Sequence, residues 1–111
     1  MSTPVELYDE AERLKAAGDL DGAVAKLTQA IETDSGYTLA YSALAVAEQK
    51  RGNHDQAIVH AEKVTQMAPN DAFSFTALSV TYQRAYAGTG EMSYIQKAED
   101  AMARSRTIEG G

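Results

Sequence analysis

The chain has 111 residues, a single-domain length, of which 44% are apolar and 23% charged, an ordinary balance for a globular protein. Sixteen acidic against ten basic residues give a net charge of -6, which argues against a general nucleic-acid binder, because phosphate affinity rests on clustered Lys and Arg. Cysteine is absent, which excludes disulfides, thiolate metal sites and a cysteine nucleophile, and no apolar run approaches the ~20 residues of a membrane span. Met1 to Glu6 lack the basic and apolar regions of a secretory signal, so the expected location is the cytoplasm.

In chain order, the first predicted helix runs from Val5 to Ala17, with Leu7, Ala11, Leu14 and Ala17 on one face. Thr3 is placed as its N-cap, Pro4 at its first position and Glu6 to complete a capping box. Gly18 ends it, and Asp21 is expected to cap a second helix over about Gly22 to Thr33, with Ala23, Leu27, Ala30 and Ile31 inward. Gly36 breaks the chain. A second pair of helices is predicted at Leu39 to Arg51 and Gln56 to Ala68, closed by Pro69-Asn70-Asp71. Asp71 caps a fifth helix over about Ala72 to Tyr86. Ala87-Gly88-Thr89-Gly90 reads as a flexible loop, the last helix as about Glu91 to Thr107, and residues 109–111 as a disordered tail.

The helices repeat. Gly18-Asp19-Leu20-Asp21-Gly22-Ala23 is matched 34 residues later by Gly52-Asn53-His54-Asp55-Gln56-Ala57. The same step of 34 joins Leu7, Tyr41 and Phe75, then Ala11, Ala45 and Ser79, and Ala30 with Val64. In the third unit, aligning Ala98 with Ala57 requires an insertion of about seven residues near 87–93. The units fall at about 4–37, 38–71 and 72–108 of one domain.

This helix–turn–helix period resembles the tetratricopeptide repeat (TPR) family. The pattern is carried by Leu7, Tyr41 and Phe75, by Leu44 and Leu78, by Ala11, Ala45 and Ser79, by Gly18 and Gly52, by Ala23, Ala57 and Ala98, and by Pro69. The resemblance implies an all-α, right-handed α-α superhelix (solenoid) of three helical hairpins, six helices in all. It implies a protein–protein interaction module that captures a segment of another protein or peptide in a concave groove. No enzymatic activity or cofactor is expected. Carried over position by position, the groove is Val5, Tyr8, Glu12 and Lys15 in unit one. Unit two gives Leu39, Ser42, Val46, Gln49 and Lys50. Unit three gives Phe73, Thr76, Val80, Gln83 and Arg84. These form an apolar stripe with a basic or polar edge. Three helices ~9–10 Å apart span roughly 20–30 Å, enough for ~6–9 extended residues at ~3.3 Å each. The family's chaperone-tail binders use a clamp of Lys, Asn and Arg, and Tyr8, Glu12, Ala43, Phe73 and Ala77 stand at those positions, so that subtype is not expected.

The alternative is a self-associating homo-oligomeric scaffold using the concave face or a patch of Tyr94, Met102 and Ile108 on the last unit. Glu99 and Arg106 give that unit's outer face a polar, cap-like character. Glu48 is anomalous, because its repeat equivalents are Leu14 and Tyr82. It is expected to be exposed or paired with a neighbour such as Arg51 or Arg84, the alternative being a groove-floor acid that contacts a basic ligand. His54 and His60 have no ligand-like spacing and are expected at the surface, with no metal.

Overall fold

The structure, a computed structural model, describes residues 2–110. Six helices follow one another: α1 (Pro4–Ala16), α2 (Leu20–Thr33), α3 (Thr38–Lys50), α4 (His54–Met67), α5 (Ala72–Thr89) and α6 (Ser93–Gly110). No strand occurs among the described residues. Neighbours in sequence pack as hairpins and each hairpin stacks on the next, giving a helical-repeat solenoid of 42 × 32 × 20 Å.

Local chemistry sets the element ends. Thr3 Oγ1 accepts from the Glu6 backbone N–H at 3.2 Å, and the Thr3 N–H donates to Glu6 Oε1 at 2.9 Å, so the expected capping box is formed. Hydrogen bonding of the Glu6 carboxyl to Thr3, to its backbone N–H first and its side chain second, holds that carboxyl below its ordinary value. Gly18 and Gly52 have φ of 89° and 81°. Both turns close with the same pair of hydrogen bonds, Asp19 N to Leu14 O and Asn53 N to Glu48 O at 2.8 Å each among them. A residue with a Cβ is strained at that φ, which is why glycine recurs at this repeat position.

Element boundaries differ from expectation by two residues at the starts of α2, α4 (His54, not Gln56) and α6 (Ser93, not Glu91), and by more at the ends of α5 and α6. Asp19, not Asp21, caps α2, accepting from Gly22 N at 2.9 Å, so α2 begins at Leu20. Residues 87–89, expected in a loop, form a last turn of α5. That turn is held by Thr89 Oγ1 donating to Ala85 O at 2.7 Å and ended by Gly90 at φ 75°. The insertion near 87–93 is thus mostly helix, with a short linker before Ser93. α6 runs on through Glu109 to Gly110 where a disordered tail is expected, and Gly111 lies outside the described residues.

Two cores run between the layers. The first joins Leu7, Ala11, Leu27, Ala30, Ala40 and Leu44 of α1–α3, and the second joins Ala45, Ile58, Leu78, Tyr82, Ala98 and Ala101 of α3–α6. Alanines at the facing positions let helix axes approach closely, while Leu, Ile and Tyr fill the space between units. This places α1, α3 and α5 side by side along one face, touching each other only slightly.

Candidate functional site

Because α3 and α5 meet so little, a furrow lies between them. Val5, Leu39 and Phe73 stand at equivalent positions near the starts of these helices and are 57%, 55% and 77% exposed. Val46 and Val80, one to two turns further on, are also exposed. An apolar side chain held in water without a neighbour lacks any packing reason for its identity.

The furrow between α3 and α5 is a cleft of about 510 Å³. Its walls carry Ser42, Val46, Gln49 and Lys50 from α3 and Phe73, Thr76, Val80 and Arg84 from α5. Buried Ala61 and Val64 of α4 close it from behind. Thus the structure brings together eight of the groove positions read from the repeat. It also adds Ala45, Ser74, Ala77 and Thr81, which the sequence marks only as small or polar helix positions.

The remaining positions behave differently. On α1, Tyr8 is half-buried and packs edge-on against Tyr37, ring centres 6.1 Å apart. Burial, with Glu12 adding to it, raises the Tyr8 hydroxyl above its ordinary value. Glu12 and Lys15 pair with each other at 3.2 Å. Gln83 donates to Ser79 Oγ at 3.2 Å and lines a different cleft, between α5 and α6. Thr76 Oγ1 lies 2.8 Å from Ser105 Oγ of α6, so its hydroxyl is engaged within unit three.

The α5–α6 cleft, of about 470 Å³, is the repeat equivalent of the α3–α5 cleft, and among the described residues no helix follows to close it. Ser79 and Gln83 stand there where Ala45 and Gln49 stand one unit earlier, and Met102 where Ala61 stands. Tyr86, Ile95, Glu99 and Arg106 complete its lining. Tyr94, read from sequence as part of an exposed patch, instead stacks on Tyr82 at 6.0 Å, and the Tyr82 hydroxyl donates to Glu62. Burial first, and the Glu62 hydrogen bond second, push the Tyr82 hydroxyl well above its ordinary value.

Glu48 is buried and paired: Arg51 Nη1 lies 2.7 Å from its Oε1, and Arg51 Nε lies 3.0 Å from Asp21 Oδ1. It is structural and does not line the cleft. Neither histidine is a free surface residue. The His60 ring is half-buried 6.3 Å from Tyr41, and burial lowers its basicity against the opposing pull of Glu48. His54 is half-buried, with its ring against Gly88. Among the described residues, no group of three or more His, Cys, Asp and Glu side chains is placed to hold a metal ion. No helix of these residues is long and apolar enough to cross a membrane.

No curated protein matches the chain. Among solved structures, two crystal structures of MamA share its fold. One aligns with a TM-score of 0.82 at 21% identity, covering 97% of this chain and 59% of its own. The other aligns at 0.72 and 20%, covering 95% and 57%. The chain therefore spans a little under three fifths of those proteins. A tetratricopeptide repeat family model matches residues 14–79, which is more than half of the sequence and runs from the end of α1 into α5. The chain belongs to the tetratricopeptide repeat family.

Proposed function

We propose that this member of a family of protein–protein interaction modules captures a short segment of a partner protein in the groove along α1, α3 and α5, and that it is not an enzyme. The observation that supports this most is the α3–α5 cleft with Phe73, 77% exposed, at its edge. An aromatic side chain offers on the order of 150–250 Å² to a partner, and here no neighbour covers it. Val5 and Leu39 continue the apolar row. Capture of a chaperone-type acidic tail through the family's carboxylate clamp is not part of this reading, because Tyr8, Glu12 and Phe73 stand at clamp positions and Ala43 is buried.

The test compares wild type with Leu39→Asp/Phe73→Asp in capture from lysate, each checked by circular dichroism. Both side chains are exposed, so the double variant should change stability by no more than about 0.5 kcal/mol per site. The expected result is a protein retained by wild type and lost from the folded variant, with a fragment of ~6–9 residues of that protein sufficient for binding. Equal capture by both proteins overturns the groove reading.

The α5–α6 cleft favours a second reading, a scaffold that self-associates through that end of the solenoid. Dimerisation abolished by Ile95→Glu, with Leu39 and Phe73 immaterial, would establish it in place of the first.

A further inference from the structure

The α3–α5 cleft has a charge bias opposite to that of the molecule. The chain carries sixteen acidic and ten basic residues, yet no carboxylate lines this cleft, and two cations, Lys50 and Arg84, do. Neither makes an ion pair among the described residues; of the ten basic residues only Lys15, Lys26 and Arg51 do. Lys50 ends α3, where it faces the helix's own C-terminal carbonyls. Arg84 sits within α5, more than a turn before its end, and has no such internal role. Since α3 and α5 occupy equivalent places in successive units, the two cations stand at one end of the cleft and Phe73 at the other, with Val46 and Val80 between. Asp71, the acid nearest in sequence to Phe73, is held by the Phe73 N–H and the Ser74 hydroxyl as the cap of α5.

We infer that the cleft selects an acidic segment of a partner protein, in which a bulky apolar side chain enters between Val46, Val80 and Phe73 while neighbouring side-chain carboxylates meet Lys50 and Arg84. This rests on the groove reading above and specifies the partner's chemistry. An unpaired cation at the rim of an apolar cleft steers and holds a segment of opposite charge, and repels a basic one.

The experiment uses three capped peptides of about nine residues, alternating leucine with glutamate, glutamine or lysine, titrated into the full chain. Methyl resonances of Val46 and Val80 report occupancy of the cleft, and fluorescence anisotropy reports affinity. The glutamate peptide should shift both valines and bind roughly threefold to tenfold more tightly than the glutamine peptide, the scale of two partly exposed ion pairs. That advantage should vanish in about 0.5 M salt and in Lys50→Gln/Arg84→Gln, which should bind the glutamate and glutamine peptides equally. Shifted valines with no preference for glutamate, or a preference for lysine, overturn the acidic assignment and leave groove capture standing. Shifts confined to α6 or the convex face overturn both. Binding of none of the peptides overturns the acidic assignment, and groove capture then depends on the lysate experiment. Valine shifts that follow protein concentration alone assign the cleft to a second copy and overturn it.

Discussion

Arg51 ties two repeats together from the C-cap of α3, reaching Glu48 on its own helix and Asp21 on α2. The two legs are unequal. Asp21 is 85% exposed and adds little. Glu48 is 7% exposed, so its carboxylate depends on the guanidinium for charge compensation. Arg51→Ala should therefore destabilise the fold by about 2 kcal/mol, chiefly by leaving Glu48 buried and uncompensated. Adding Glu48→Leu, the residue that unit one has at this position, should recover most of the loss. Urea unfolding followed by circular dichroism reads both; an unchanged midpoint for Arg51→Ala would refute the argument. The sequence shows that Glu48 is anomalous, because the 34-residue step sets it between Leu14 and Tyr82. The sequence does not show that Asp21 takes part. That depends on Asp19 taking the cap, and both aspartates satisfy the same capping preference.

At the scale of elements, α5 shows why one misreading arose. Two glycines and a threonine in Ala87-Gly88-Thr89-Gly90 read as a loop, but only Gly90 adopts the positive φ that a turn requires. Gly88 is helical, and its missing side chain makes room for the His54 ring at the start of α4. Composition cannot separate a turn glycine from a packing glycine, because the second owes its identity to a residue on another helix. A double-mutant cycle distinguishes them. Gly→Ala within a helix ordinarily gains about 0.5–1 kcal/mol. Gly88→Ala should instead lose about 1 kcal/mol by overpacking against the imidazole. In a His54→Ala background the same substitution should become stabilising, with thermal denaturation as the readout. A gain in both backgrounds would mean that the ring moves aside at no cost. The most legible helix is α1, whose capping box, closing glycine and apolar face agree with one another.

For the whole molecule, the repeat makes the groove legible and also limits how copies can join. A 34-residue step carries one helix face onto the next, so Val5, Leu39 and Phe73 could be matched without a structure. The same transfer carries Gln83 onto Gln49, and each lines the cleft of its own unit, Gln83 the α5–α6 cleft and Gln49 the α3–α5 cleft. The expected polar outer face is only part of that surface: Glu99 and Arg106 share the cleft with Tyr86, Ile95 and Met102. Applied backwards, the step maps the buried Ala40, Ala43 and Leu44, which pack with α2 in the first core, onto Glu6, Asp9 and Glu10 of α1. If the α1 face of one copy stacked on the α5–α6 cleft of another, these carboxylates would be buried against Ile95 and Met102. Glu6 is held by the Thr3 N–H and Glu10 by Lys26, and taking such carboxylates out of water still costs on the order of several kcal/mol each. Head-to-tail growth of the described residues into filaments is thereby opposed. Sedimentation over a wide range of concentrations should show no species larger than a dimer. Glu6→Ala/Asp9→Ala/Glu10→Leu, which restores the residues of unit two, should produce larger species that Ile95→Glu abolishes. Larger species formed by the wild-type chain would show that its ends join in some other way.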